Sequence, residues 1–306
     1  MEARARLFTG SLDSAIYLFG SITRLAAEVS VLPAINTNFT HHISAGLTDG
    51  TIITGQNNIS HPSIPTAFES GTNTPRDEVE DHDHIEDANL PGSLPTLRKG
   101  YITFSKSGEE DLPCRIDRIW YVNPYGQEIR YNANKQVLEA LESASTIIYS
   151  IGSLYTSIIP NIILRGVGGA IANPAIRHKI LILNSTIDRE TGPTSDPYNA
   201  LDFIAAIARA CAYSRNQDTS QLSPHEYRTY VTHVLHLEGP GTPRVDRAAL
   251  RELGIETMRL YGRNMSVEGK DGGVLRYDEQ ALIQGLEATI GSRGVGPMSR
   301  RNTLEK

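Results

Sequence analysis

From Arg115 onward the chain alternates short apolar runs with amphipathic segments, and this alternation constrains the fold more than any other feature of the sequence. Short apolar runs are typical of buried strands, amphipathic segments are typical of helices, and a strand–helix–strand order favours a parallel crossover unit. The predicted strands are Arg115–Val122, Thr146–Ile151, Lys179–Asn184, Tyr230–Leu237 and Ile255–Leu260. The predicted helices lie near Asn134–Ser143, Ser157–Ala172, Tyr198–Tyr213, Arg244–Leu253 and Tyr277–Ile290. The pattern predicts a layered α/β domain with a mainly parallel sheet.

The segment before Arg115 carries three local signals. Ser11 is a good helix N-cap before apolar residues at helical spacing, which predicts an amphipathic helix from Ser11 to about Glu28. VSVLPAI, at 29–35, predicts a short strand. Asp49-Gly50 between two β-type runs predicts a hairpin, because these residues adopt the positive φ that a tight hairpin turn needs.

Two segments lack such periodicity. Residues 61–99 fill with Pro, Ser, Thr, Asn, Gly and acids, including seven acids within 77–87. This stretch has too little apolar surface to offset the entropy of ordering its backbone, so it is predicted to be a disordered acidic insertion. Residues 291–306, rich in Gly and Arg, are predicted to form a flexible tail. The α/β domain is then expected to span 1–290, interrupted by the insertion.

Charge and cysteine content narrow the function classes. The chain has 29 Lys and Arg against 35 Asp and Glu, a net charge of −6, so no basic excess indicates nucleic acid or an anionic membrane as a partner. The two cysteines form no disulfide framework, and the N-terminus is unlike a secretory signal. The long uncharged stretch at 143–164 holds too many polar groups and breakers for a membrane span. A cytoplasmic protein is expected.

The most informative segment is TIIYSIGSLYTSIIPNIILRG, in which a predicted strand runs into Gly152 and then into a helix beginning near Ser157. Ligands of open α/β sheets bind at the carboxyl ends of the strands. A glycine lets the backbone approach a ligand, and the first amides of the helix and the hydroxyls of Ser153, Thr156 and Ser157 can donate to phosphate oxygens. The alternative is structural: Ser157 caps the helix and Gly152 makes the turn. The segment is neither a P-loop nor a dinucleotide fingerprint.

The same segment carries a family resemblance. IGSLYTSIIPN resembles the GPGSLYTSIIPN signature of the 2-phospho-L-lactate transferase/gluconeogenesis factor (CofD-like) family. VLPAIN followed by LTDGTIITGQNNIS is similar to that family's strand and hairpin, and LILNSTIDRETG followed by Asp196 is similar to its asparagine strand end and ET-G loop. The resemblance covers most of the ordered chain. It implies a three-layer α/β fold of the phospholactate transferase-like type.

The resemblance also implies a ligand, a nucleotide diphosphate or a sugar nucleotide, at the strand ends. The residues that it places on the ligand phosphates are Gly152, Ser153, Thr156 and Ser157. Asn184 is implied to lie nearby, at the end of the next strand. Glu190 in the ET-G loop either reaches the ligand or caps the helix after it.

Phosphate charge needs neutralising, by a metal or by basic side chains. The arginines that follow the loop are Arg165, Arg177 and Arg189, and each is better explained as a solvated charge of a helix end or loop. Magnesium is implied by the resemblance, and the sequence identifies no ligands for it.

The family has two functional branches. In the transferase branch a phospholactyl-type group moves from a guanosine diphosphate donor to a deazaflavin alcohol, with magnesium, and GMP is released. In the gluconeogenesis-factor branch the protein binds a UDP-sugar and acts as a noncatalytic regulator. The tyrosine-containing SLYTS loop is closer to the second branch. A homo-oligomer is left open by the sequence.

The chain departs from the family pattern at two places. Ser150 and Ile151 stand where the family has Gly and Pro. The family domain also opens with a strand, a GGGTG-type phosphate loop and an aspartate-rich loop, to which no segment of this sequence corresponds. We therefore expect a family domain that is incomplete on its N-terminal side, with a transferase-like ligand site but impaired in turnover. A fragment that does not fold alone is the third interpretation.

Overall fold

The computed structural model describes residues 8–23, 26, 28–37, 39–60, 111–267 and 270–291. The predicted acidic insertion at 61–99 lies outside these residues, as does the predicted tail beyond residue 291. Within the described ranges, no helix is both long and apolar enough to cross a membrane.

Helix α1 (Leu12–Ile22) begins where the sequence predicts. The Ser11 hydroxyl accepts the Ser14 amide at 3.0 Å, so Ser11 is its N-cap. The helix ends at Ile22 instead of continuing toward Glu28. The predicted strand at 29–35 is wrong, because within that stretch only Ile35 pairs, in an isolated bridge to Ala133. Pro33 has no amide hydrogen to contribute to a strand ladder there.

The first sheet is antiparallel and is built on the predicted hairpin. Its strands are β1 (His42–Leu47), β2 (Ile52–Thr54), β3 (Ile116–Val122) and β4 (Glu128–Ile129), in the order β2-β1-β3-β4. Gly50 has a φ of +89° in the turn between β1 and β2, and the Asp49 carboxylate accepts the Thr51 amide at 2.8 Å. The hairpin prediction is confirmed. A short helix, α2 (Gln56–Ser60), follows β2.

The second sheet is parallel and lies in the part of the chain where strands and helices alternate. Its strands run in sequence order: β5 (Thr146–Tyr149), β6 (His178–Ile182), β7 (His233–His236) and β8 (Glu256–Arg259). The parallel sheet is confirmed with four of the five predicted strands. The fifth, Arg115–Val122, is instead β3 of the antiparallel sheet, because it pairs along its length with β1, from His42↔Val122 to Leu47↔Ile116.

The helices between these strands are mostly where the alternation predicts. They are α3 (Lys135–Ser143), α6 (Ala200–Ser214) and α7 (Arg247–Glu252). The single helix predicted over Ser157–Ala172 is instead a π-helical turn, α4 and α5, at Leu154–Ile158, Ile159–Ile162 and Val167–Ile171. Two residues explain the interruption: Pro160 has no amide to donate, and Gly166 has a left-handed φ of +96°.

A second hairpin completes the described chain. It pairs β9 (Gly262–Val267) with β10 (Lys270–Tyr277) and leads into α8 (Glu279–Ile290), whose N-cap is Asp278. The sequence analysis did not predict this hairpin, because its strands contain mainly Arg, Asn, Asp and Gly among few apolar residues.

The two central strands of the parallel sheet, β6 and β7, are buried on both faces. One face belongs to a large apolar core that also includes buried residues of β1, β3 and α6. The other face carries a smaller cluster, to which Leu275 of β10 and Leu282 of α8 are packed. Side chains alternate accordingly along β6: Leu181 belongs to the large core, and Ile180 and Ile182 belong to the smaller cluster. Only the ends of these strands remain for a ligand.

Candidate functional site

The Gly152–Ser157 loop leaves the carboxyl end of β5, as the sequence predicts. Gly152 makes its turn, and its backbone lies so close to the end of the loop that an added Cβ would be 2.7 Å from the Ser157 Cβ. A larger residue at this position would push Ser157 away, so glycine is required by the close approach. Ser157 does not cap a helix: its amide donates to the Ser153 carbonyl at 2.9 Å, inside the π-helical turn.

The amides at the start of this turn already have an anionic partner. Glu190 is 1% exposed, and its Oε2 accepts the amide of Tyr155 at 2.8 Å and the amide of Thr156 at 3.0 Å. The Thr156 hydroxyl donates to Oε1 of the same carboxylate at 2.5 Å. The expectation that these amides and the Thr156 hydroxyl are free for phosphate is therefore corrected. In this structure the Glu190 carboxylate accepts from all three of these donors.

Neither predicted role of Glu190 describes this contact. The short 3₁₀ turn that holds Glu190, Arg189–Thr191, is capped by Asp188, whose carboxylate accepts the Thr191 amide at 3.1 Å. Glu190 instead reaches across to the loop that follows the neighbouring strand. Sequence spacing could not show this contact, because the two loops are adjacent only after β5 and β6 pair.

The surroundings of Glu190 make it titrate near neutral pH. Burial raises the pKa of its carboxyl group, and the nearby Asp188 carboxylate raises it further. The hydrogen bonds from Thr156 and from the two loop amides oppose this effect, and the resulting pKa is about 7. Near pH 7 the loop is thus held by an acid that gains and loses its proton easily.

Two hydroxyls of the loop have no hydrogen-bond partner among the described residues. Among the described residues no hydrogen bond engages the side chain of half-buried Ser153 or of exposed Ser157. Asn184, two residues beyond the end of β6, is half-buried, and no hydrogen bond in the described chain joins it to the loop. Ser153, Ser157 and Asn184 are therefore the predicted site residues whose side chains still have donors to offer.

The tyrosine of the SLYTS segment is structural. The Tyr155 ring is buried, and its hydroxyl lies 2.9 Å from the Tyr198 hydroxyl and 3.1 Å from the carbonyl of Ile116 in β3. Tyr198 donates to the same carbonyl at 2.8 Å. The loop is thereby fixed to the antiparallel sheet. Sequence reasoning did not identify Tyr198, because nothing near it in sequence indicates a partner 43 residues away.

A small cavity of about 220 Å³ adjoins the loop at Thr156. Its other walls come from the antiparallel sheet, α2 and α4, with the lining residues His41, His42, Ile43, Gln56, Tyr121 and Pro160. None of these was predicted as a site residue. The cavity lies below the range of about 300–1,000 Å³ that is usual for organic ligands, so this part of the site suits a phosphate-sized group.

The three arginines considered for phosphate neutralisation differ in their surroundings. Arg165 and Arg177 are exposed, and no ion pair of theirs is seen in the described ranges. Arg189 is half-buried, and its Nε donates to the Ile59 carbonyl in α2 at 3.1 Å. Arg189 therefore anchors α2 beside the 3₁₀ turn.

The described residues do not fit the magnesium that the resemblance implies. No group of three or more His, Cys, Asp or Glu side chains in this part of the chain is arranged to hold a metal ion. The two carboxylates nearest the loop are already engaged, Glu190 by loop donors and Asp188 by Thr191.

Comparison with known proteins agrees with the resemblance. The sequence profile of the family described as 2-phospho-L-lactate transferase CofD matches residues 2–260. The protein YNL011C of Saccharomyces cerevisiae is 35% identical over 254 residues, which are 76% of this chain and 57% of the yeast protein. The gluconeogenesis factor of Halalkalibacterium halodurans is 38% identical over 194 residues, or 61% of this chain and 55% of that protein. The chain thus spans little more than half the length of these relatives.

The fold has solved counterparts. A crystal structure of protein BH3568 from Bacillus halodurans superimposes with a TM-score of 0.57 at 19% identity, covering 92% of this chain and 68% of that one. A second structure of that protein, described as a member of the UPF0052 family, gives a TM-score of 0.56 at 20% identity, with 94% and 69% covered. At such identity the likeness establishes the fold alone.

Proposed function

The chain belongs to the 2-phospho-L-lactate transferase (CofD) family, and from that premise we propose that it binds a nucleotide diphosphate or a sugar nucleotide at the carboxyl ends of β5 and β6. The observation that carries the proposal is the Gly152–Ser157 loop. It stands at the end of a parallel strand and offers the free hydroxyls of Ser153 and Ser157.

The loop offers a ligand phosphate two kinds of donor. The hydroxyls of Ser153 and Ser157 are available at once. The amides of Tyr155 and Thr156 become available only if the Glu190 carboxylate moves away or is displaced. A phosphate and a carboxylate accept from the same donors, so a bound phosphate would compete with Glu190. Protonation of Glu190 weakens its hold on the amides and favours the phosphate.

The proposed activity has two forms. As a transferase, the chain would move a phospholactyl-type group from a guanosine diphosphate donor to a deazaflavin alcohol. The family profile supports this form. As a noncatalytic regulator, it would bind a UDP-sugar without turnover. This second form is supported by the SLYTS loop and by the 38% identity to a protein named gluconeogenesis factor. Both forms use the same loop and differ in the base bound and in product formation.

Thermal unfolding of the purified chain with magnesium tests the binding proposal. The scans compare the chain alone with the chain in saturating GDP, GTP, UDP-glucose or UDP-N-acetylglucosamine. A nucleotide that binds only the native state raises its stability by about 2.7 kcal/mol at 100 times the dissociation constant. We expect a shift with one base and a smaller shift in Ser153→Ala and Ser157→Ala. Ser145→Ala, an exposed serine before the opposite end of β5, is the matched control.

Each outcome of these scans has a separate meaning. The absence of any nucleotide shift in the wild-type chain would contradict the proposed function. A shift that survives both loop substitutions would show that the chain binds a nucleotide, but at a place other than this loop. GMP release with a deazaflavin alcohol would identify the transferase form, whereas UDP-sugar binding without product would identify the regulator.

A further inference from the structure

A second cavity of about 920 Å³ opens at the carboxyl end of β7. It is formed by the segment after β7, residues 237–246, together with residues 195–199 after β6 and part of α7. No residue of the Gly152–Ser157 loop lines it. Its volume lies within the usual range for organic ligands, about 300–1,000 Å³.

The wall of this cavity includes a buried histidine with an unused ring nitrogen. His236, the last residue of β7, is 2% exposed, and its Nδ1 lies 3.1 Å from the Leu237 carbonyl. A carbonyl only accepts, so Nδ1 carries the hydrogen and Nε2 is left as an acceptor. Nε2 is buried and has no partner among the described residues. Buried polar atoms of native proteins are nearly always paired, so an unpaired acceptor in a cavity wall is a position that a ligand donor can satisfy.

One of the three arginines that line the cavity has no ion pair among the described residues. The other charged lining residues are paired: Arg115 with Asp196 and Asp202, Arg247 with Glu238, and Asp246 with the first amides of α7. Arg244 is exposed and has no ion pair in the described part of the chain. The cavity therefore presents one free guanidinium, a group well suited to phosphate oxygens.

We propose that this cavity is a second binding site, for a phosphorylated sugar. A sugar hydroxyl donates to the His236 Nε2, and Arg244 binds the phosphate. The acceptor nitrogen requires a hydrogen-bond donor in the ligand, and the single unpaired cation matches a single phosphate. A free anion satisfies only Arg244, and an uncharged sugar satisfies only His236.

The second site is joined to the loop by one series of contacts. Arg115 lines the cavity, and its guanidinium lies 4.8 Å from the centre of the Tyr198 ring. The Tyr198 hydroxyl meets that of Tyr155 in the loop. The two sites are thus connected through Arg115, Tyr198 and Tyr155 and share no lining residue. A nucleotide at the loop and a phosphorylated sugar in the cavity are expected to bind together.

Isothermal titration of the full chain with glucose 6-phosphate tests this second site. Loss of a hydrogen bond to a charged or buried group weakens binding by about tenfold or more, and we expect this loss for Arg244→Gln and for His236→Phe. Arg251→Gln is the matched control, because Arg251 is an exposed α7 arginine outside this cavity. His236→Gln, which keeps an acceptor near the position of Nε2, is expected to bind more tightly than His236→Phe.

Three titration results would overturn the inference. These are no binding of glucose 6-phosphate, unchanged affinity in Arg244→Gln, and equal affinity for inorganic phosphate, which would show an anion site only. The surface variant Arg244→Gln keeps the test valid if His236→Phe does not fold. If a nucleotide still raises the thermal stability of Arg244→Gln, the result supports two separate sites. If Arg244→Gln abolishes nucleotide binding, the cavity belongs to the nucleotide site and the second site is rejected, while the proposed function stands.

Discussion

Glu190 is the residue in which stability and ligand binding are most directly opposed. Its buried carboxylate satisfies two amides and one hydroxyl of the Gly152–Ser157 loop, which would otherwise be left without partners at the end of a covered strand. Burying a carboxylate is costly, and the raised pKa of Glu190 expresses that cost. The same contact blocks the donors that a phosphate would use. Glu190 therefore completes the loop and, under the proposed function, would compete with a bound phosphate.

The first prediction concerns the pH dependence of stability. The Glu190 pKa rises from an ordinary 4.5 to about 7 on folding, so between these values the native state binds more protons than the unfolded state. Stability from this group is present at low pH and is lost as pH rises to about 7. Glu190→Gln cannot titrate, and its free energy of unfolding should fall less steeply than that of wild type over this range.

Urea unfolding of both proteins between about pH 5 and pH 8 measures this difference. The nearby Asp188, whose pKa burial also raises, is present in both proteins, so the difference between the two profiles reports Glu190 together with its coupling to Asp188. Parallel profiles for wild type and Glu190→Gln would show that Glu190 does not titrate in this range.

At the scale of elements, the crossing of α5 and α6 depends on one glycine. A Cβ added to Gly168 would lie 2.1 Å from the backbone carbonyl oxygen of Cys211 in α6. The Gly168 amide donates to the Ser214 hydroxyl at 2.9 Å, and that hydroxyl donates to the Leu164 carbonyl at 2.5 Å. The backbones of α5 and α6 are therefore in direct contact at this point. Their contact stabilises the part of the core that lies behind the Gly152–Ser157 loop.

The second prediction compares neighbouring glycines of α5. Gly168→Ala should lower the free energy of unfolding by about 1–3 kcal/mol or more, because α6 must move to admit the methyl group. Gly169→Ala meets no atom within 4 Å and should be neutral or stabilising by about 0.5–1 kcal/mol, because alanine loses less backbone entropy in a helix. Urea denaturation of both variants provides the measurement. Equal effects would show that the helices are not in close contact at Gly168.

At the scale of the whole molecule, the antiparallel and parallel sheets share one core. Buried residues of β1 and β3 belong to the same apolar cluster as those of β5 and β6. Polar contacts reinforce the junction: Tyr155 and Tyr198 reach the Ile116 carbonyl of β3, and Arg115 pairs with Asp202 of α6 at 3.0 Å. The two sheets are thus expected to unfold as a unit.

The third prediction is a single unfolding transition. Trp120 in β3 is the only tryptophan of the chain, so its fluorescence reports the antiparallel sheet alone. Far-UV circular dichroism reports chiefly the helices, most of which belong to the parallel half. The two urea midpoints should coincide. Tyr198→Phe removes one hydrogen bond to the Ile116 carbonyl of β3. It should lower both midpoints equally, with a loss of about 0.5–1.5 kcal/mol in the free energy of unfolding. Separate midpoints would mean that the sheets fold independently.

The elements that were predicted correctly are those with local signals. The Ser11 cap, the Asp49-Gly50 turn and the apolar runs of β5 to β8 each act within a few residues, so periodicity and turn chemistry reveal them. The hairpin of β9 and β10 lacks such a signal, and the helix after the loop is interrupted by Pro160 and Gly166. The strand Arg115–Val122 was placed in the wrong sheet, because its pairing with β1 brings together strands that are distant in sequence.

The sequence by itself determined the alternation of strand and helix, the family, and the position of the Gly152–Ser157 loop at a strand end. Only the tertiary structure decided which donors of that loop are free. It brought Glu190 onto the Tyr155 and Thr156 amides and joined Tyr155 to Tyr198. It also left the His236 Nε2 unpaired in a cavity wall. The physical reason is that turns, caps and periodicity depend on neighbouring residues, whereas burial and hydrogen-bond partners depend on strands and loops that meet only in the folded chain.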